Sequence, residues 1–102
     1  MYPKQIDYPH RVKVGRVWYN IVWTKVIEGD QSAAGLCDEG ARQITMLQGM
    51  GRKEMFRVFI HELIHAMEFE HLIPITHSLV SQIDEPLAKT LLANFNLKFK
   101  KR

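Results

Sequence analysis

The chain has 102 residues, 46% hydrophobic and 25% charged, a composition that belongs to folded globular proteins and excludes disordered, collagenous and membrane-embedded chains. At this length folding withdraws roughly two-thirds of the unfolded surface from water, which supports one modest core, so residues 1–102 are expected to form a single domain with any cleft against that core. The net charge of +3 is concentrated at Lys98, Lys100, Lys101 and Arg102, which reads as a solvated basic end on a nearly neutral body rather than as a nucleic-acid surface.

At the start of the chain, Met1-Tyr2-Pro3-Lys4-Gln5-Ile6-Asp7 lacks the apolar stretch and cleavage site of a secretory signal, so a cytoplasmic location is expected. Val12, Val14, Val17, Tyr19, Ile21 and Trp23 alternate with more polar residues across Gly15-Arg16, the pattern of a hairpin with a Gly-first type II′ turn. Trp18, Tyr19 and Trp23 are expected to be core-packing strand aromatics, with an exposed partner surface as the alternative. A looser segment from Glu28 to Gly35 leads through Leu36-Cys37 to residues 41–47, read as a third strand with a fourth as an option, and Gly49 and Gly51 close this β-rich half. Cys37 is the sole cysteine, which excludes an internal disulfide and a multi-cysteine zinc site and reads as a small buried hydrophobe. Any metal chemistry falls to the histidines.

From Arg52 the period changes. Phe56, Phe59, Ile60, Leu63, Ile64, Ala66 and Met67 fill one arc of roughly 160°, predicting a core-facing helix over about 52–72 that ends before Pro74. Leu79, Ile83, Leu87, Leu91 and Phe95 then predict a second helix over about 78–95, bent at Pro86 because the proline ring collides with the carbonyl of Gln82. The alternative is a shorter helix capped by Asp84 with Pro86 in its first turn. The expected fold is α+β: a small twisted antiparallel or mixed sheet packed on an active-site helix, followed by a second helix. Apolar runs such as Val58-Phe59-Ile60 are far short of the ~20 residues a membrane span needs, so no membrane partner is expected.

His61-Glu62-Leu63-Ile64-His65 is an H-E-x-x-H sequence inside the first helix. Side chains four apart on a helix lie one above the other, so His61 and His65 can offer ring nitrogens to one tetrahedral ion. Glu62 lies ~100° around from His61 and can act as a base without ligating. The histidine pair occupies the stripe opposite the apolar arc, whose centre is near Leu63. A catalytic zinc needs a third protein ligand and an open fourth position. His71 is too far along and around a continuous helix to serve. His77 lies in the expected loop after Pro74 and could swing in as a ligand, although a histidine there more often contacts substrate or backbone. Glu85, flanked one turn away by the small residues Ser81 and Ala88, is the preferred third ligand, completing a His₂Glu set. The competing reading of Glu85 is an exposed i,i+4 pair with Lys89.

With these residues the chain resembles the gluzincin, or thermolysin-like, zinc metallopeptidases, and in particular the minigluzincins and small zincin-like proteins of phages and bacteria. The likeness covers residues 58–95, including Ile73-Pro74-Ile75-Thr76-His77 and Glu85-Pro86-Leu87-Ala88, with Glu85 twenty residues beyond His65. Thermolysin-like enzymes carry an aspartate four residues after the ligand glutamate, where this chain has Lys89. The group that orients a zinc-bound histidine must therefore come from elsewhere, such as a backbone carbonyl. The resemblance implies a minimal form without a second lobe, and self-inhibition by segment 1–10 or 96–102.

The expected activity is zinc-dependent hydrolysis of a peptide or protein substrate, with Zn2+ on His61, His65 and Glu85, Glu62 as general base and acid, and His77 stabilising the oxyanion. By analogy with zincins, the 41–47 strand at the sheet edge would align the substrate by strand addition. The alternatives are a zinc-stabilised binding or regulatory module with little turnover, with Cys37 as a latency ligand in one version, and a protease anchored near DNA by Lys98–Arg102.

Overall fold

A computed structural model describes residues 6–27 and 34–100. The first hairpin joins β1, Arg11–Val14, to β2, Val17–Thr24, with Val14 opposite Val17 and Val12 opposite Tyr19. Gly15 carries the left-handed φ of 62° that the first turn position demands and Arg16 has no positive φ, as expected for a Gly-first turn. The sheet is completed by β3, Gly35–Asp38, and β4, Gln43–Leu47, in the spatial order β1-β2-β4-β3. β4 runs parallel to β2 and antiparallel to β3, so the sheet is mixed and both helices follow it, in agreement with the expected α+β class. The segment 41–47 is therefore an interior strand and not the expected edge; the edges are β1 and β3. Alternation along each strand shows nothing of this order, because the chain passes from β2 to β3 before returning to β4 between them. Glu28 to Ala33 of the looser segment lie outside the described residues.

One sheet face carries Val14, Tyr19, Ile21, Ile44 and Met46, all buried, with Trp23 and Cys37 packed against them. Trp18 lies on the opposite face, under the Arg11 guanidinium at 4.2 Å, a cation–π contact. Only Tyr19 and Trp23 thus meet the expectation of core aromatics.

Arg52–Glu70 forms α1, a run with no Gly or Pro to interrupt it. Its buried residues are Phe56, Val58, Phe59, Ile60, Glu62, Ile64 and Ala66, whereas Met67 is exposed. The buried arc is rotated away from Leu63 and Met67 and takes in the row Val58, Glu62, Ala66, because α1 has neighbours on two sides: the sheet and α2. Tyr19 on β2 ties the end of α1 to the sheet by donating its hydroxyl to Glu70 Oε2 at 2.6 Å.

The helix ends in a Schellman arrangement: Ile73 N–H reaches the Glu68 carbonyl at 3.0 Å and Leu72 N–H the Phe69 carbonyl at 3.3 Å, with Leu72 in the left-handed region at φ 53°. This reversal sends the chain back alongside α1. Thr76 then caps α2, His77–Asn94, by accepting from Leu79 N–H at 3.2 Å. The helix runs through Pro86, so Asp84 is not its N-cap. Its buried row is Val80, Asp84 and Ala88, not Leu79–Ile83–Leu87–Leu91–Phe95; Leu79, Leu87 and Phe95 are exposed. α2 packs on α1 and not on the sheet, and the small Ala88 permits close approach there.

The segments flanking the fold pack into it. Tyr8 and Phe99 meet each other at 5.3 Å between ring centroids, and both meet Phe59, while Ile6 and Leu97 join the same cluster. Residues 6–10 and 96–100 thus cover the apolar core and do not line the cavity beside the histidines; residues 1–5, 101 and 102 of the segments expected to occlude it lie outside the described residues. No described helix is long and apolar enough to cross a membrane.

Candidate metal centre

A cavity of about 520 Å³ lies between β3 and α1, with His77 of α2 at its rim. Into it project His61 and His65, whose Nε2 atoms are 3.2 Å apart. Two ligands of a tetrahedral zinc with bonds of ~2.0–2.1 Å are about 3.3 Å apart, so this pair stands at the separation a shared ion needs. His77 is the third candidate donor: one ligand atom from each of the three imidazoles falls within 4.8 Å of the others. Its ring stacks on that of His65 at 5.3 Å, tilted by 11°. His77 occupies the first position of α2 rather than a loop, because Thr76 begins the helix.

The other nitrogens of the first two rings are engaged by carboxylates. His61 Nδ1 lies 2.8 Å from Asp84 Oδ2, and His65 Nδ1 lies 3.1 Å from Glu68 Oε1. A carboxylate accepts only, so each Nδ1 can donate to it in the tautomer that leaves Nε2 free to bind a metal. Burial holds His61 below its ordinary pKa; the bond to Asp84 opposes this and the neighbouring His65 adds to it. The neutral, metal-binding form of His61 is thereby favoured at neutral pH.

Asp84 is the residue that sequence reasoning missed. It is 2% exposed, and a buried charge requires partners. Its Oδ2 meets both His61 and Arg57 Nη1, the latter at 3.0 Å, and Arg57 is itself paired with Glu54. Asp84 follows Val80 by four residues and precedes Ala88 by four; an acidic residue on the row of a valine and an alanine was the available signal. It supplies the orienting group that Lys89 does not.

Glu85 does not join the cluster. Its side chain is 58% exposed and its Oε1 pairs with Lys89 Nζ at 2.9 Å, the competing i,i+4 reading of this residue. The cause is the phase of α2: with Val80, Asp84 and Ala88 turned towards α1, the next residue is carried ~100° around to solvent. His71 lies away from the triad, its ring against the β1–β2 turn, where a Cβ on Gly15 would come within 3.1 Å of its Cε1.

Glu62 lines the cavity between the histidines and β3 and is 7% exposed. Burial pushes its carboxyl up to about 7, with His65 pulling the other way. That value suits a group that takes up and releases a proton near neutral pH. β3 comes close here because Gly35 has no side chain: a Cβ would lie 2.7 Å from Val58 Cγ1 and 2.9 Å from Glu62 Cγ. Cys37 lines the same cavity, and burial followed by the charge of Glu39 pushes its thiol up to about 12, leaving it neutral.

No known protein-family model matches this chain, and comparison with curated proteins and with solved structures finds no significant match.

Proposed function

We propose that this protein is a zinc-dependent peptidase in which His61, His65 and His77 hold the metal and Glu62 is the general base. The observation that carries the reading is the pair of Nε2 atoms 3.2 Å apart, each ring already anchored through Nδ1 to a carboxylate, in one cavity with a buried glutamate. Three imidazoles suit zinc, and three protein ligands are the number a catalytic zinc uses. When bound, zinc supplies Lewis acidity that polarises a carbonyl and lowers the pKa of water towards 7. Glu62 accepts the proton of the attacking water on its carboxylate and delivers it to the departing amine nitrogen, returning to its starting state. Asp84 and Glu68 fix the rings of His61 and His65. With His77 taken as the third ligand in place of Glu85, His77 is not assigned to the oxyanion.

The peptide class is supported by β3, one of the two edge strands of the sheet among the described residues, which lines the cavity over Gly35, Leu36 and Cys37. A strand edge beside the chemistry can align an extended peptide by backbone hydrogen bonds. The gluzincin reading keeps its H-E-x-x-H helix and its general base here, but with a histidine as third donor. The test is a digest of unstructured protein by the zinc-loaded chain and its Glu62→Gln variant. Cleavage by the first and none by the second is expected. Absence of cleavage by wild type, with a metal-dependent function intact in the variant, would instead favour the zinc-stabilised binding module.

A further inference from the structure

Beside the metal centre lies a second cavity of about 370 Å³, which shares His65 and Glu39 with the first. Its floor is the helix reversal, where Phe69, Leu72 and Ile73 turn apolar side chains to solvent, and Glu68 completes it. The two carboxylates differ in their engagement. Glu68 is held by His65 Nδ1, whereas Glu39, half-buried at the junction of the two cavities, makes no ion pair with any described residue. We infer that this cavity is the subsite for a lysine or arginine side chain of the substrate, an inference that rests on the peptidase reading above.

Two physical features select that occupant together. Apolar walls reward a methylene stem, and a partly desolvated carboxylate with no cation paired to it among the described residues rewards a cationic head. Lysine and arginine are the residues that offer both in one side chain. A purely apolar side chain would leave Glu39 facing hydrocarbon with nothing to compensate it, and an acidic one would meet Glu39 and Glu68 with like charge. Because His65 belongs to both cavities, a side chain seated here is held within one residue's reach of the reacting carbonyl, which makes Glu39 a determinant of where the chain is cut.

The test uses peptides of one alanine–serine background in which lysine, norleucine or glutamate is placed at successive positions. They are titrated onto the zinc-loaded Glu62→Gln protein, and the same set is digested by the zinc-loaded wild type. Norleucine keeps the stem of lysine and removes the charge. Lysine is expected to bind about 10-fold tighter than norleucine at one position, with the ratio falling to about 1 when Glu39→Gln is added and shrinking with added salt. Cuts are expected at a fixed offset from the lysine. Norleucine or glutamate bound as tightly as lysine, or a lysine preference that survives Glu39→Gln, overturns the subsite. Should Glu39→Gln fail to fold, a lysine preference indifferent to salt overturns it. A charge-dependent lysine preference without any cleavage keeps the subsite and removes the peptidase reading; cleavage without that preference does the reverse.

Discussion

Asp84 Oδ2 sits 2.8 Å from His61 Nδ1, joining the third turn of α2 to the middle of α1 across 23 residues of sequence. The same oxygen receives Arg57, so the buried carboxylate is satisfied by one neutral ring and one guanidinium. Its effect on the site is directional: a carboxylate beside Nδ1 favours the tautomer in which Nδ1 donates and Nε2 of His61 accepts on the side facing His65. Asp84→Asn should preserve packing yet weaken zinc affinity by ~10–100-fold, and removing the buried charge from beside Arg57 should lower stability by about 1–3 kcal/mol. Competition with a calibrated chelator, together with chemical denaturation of the metal-free protein, measures the two effects separately.

Glu62→Gln should bind zinc at wild-type stoichiometry and lose at least ~100-fold in turnover. It also carries a stability signature in the metal-free protein. The Glu62 carboxyl rises from an ordinary value of 4.5 to about 7 on folding, so between those pH values the folded state holds more protons than the unfolded state. Stability from the neutral acid is fully present below about pH 4.5, is lost as pH rises towards 7, and stays lost above. The glutamine variant lacks this loss and should exceed wild type by roughly 1–3 kcal/mol at about pH 8, with the difference closing as the pH falls. Urea denaturation at a series of pH values checks the sign.

At Gly35 the absent side chain sets how near the edge strand comes to the general base. Gly35→Ala places a methyl within 3 Å of Val58 and Glu62, so either the strand withdraws or the glutamate turns. An overpacking cost of about 1–3 kcal/mol is expected, with loss of turnover at unchanged zinc content. Thermal denaturation and a peptide assay on the zinc-loaded variant test both halves.

Leu72 occupies a left-handed conformation while 85% of its surface is exposed, so little packing offsets the steric cost of its Cβ. Leu72→Gly should stabilise the protein, by up to ~1 kcal/mol once the larger backbone entropy of glycine is set against the relief of strain. A rise in the urea midpoint is the expected reading.

The H-E-x-x-H pair and the first hairpin were legible because both depend on short spacings: four residues on a helix for His61 and His65, two around a glycine turn for Val14 and Val17. The rest depends on phase and on pairing across the chain. The apolar row Leu79, Ile83 and Leu87 is persuasive in a sequence, yet in α2 both Leu79 and Leu87 face outward, while the modest row of Val80, Asp84 and Ala88 is buried. That phase difference of ~100° is what directs Glu85 to Lys89 and brings Asp84 to His61. His77 was visible as a nearby histidine, but its place beside His61 and His65 follows from the Leu72 reversal and the Thr76 cap acting together. The position of β4 inside the sheet, and hence of β3 at the cavity, rests on a parallel pairing with β2 that no local pattern announces.

Zinc content of the purified chain, measured by elemental analysis alongside His77→Ala and Glu85→Ala, tests the three-histidine centre most directly. About one zinc per chain in wild type and in Glu85→Ala, with marked depletion in His77→Ala, is the result expected of a centre with three protein ligands. Full zinc in His77→Ala together with depletion in Glu85→Ala would contradict it.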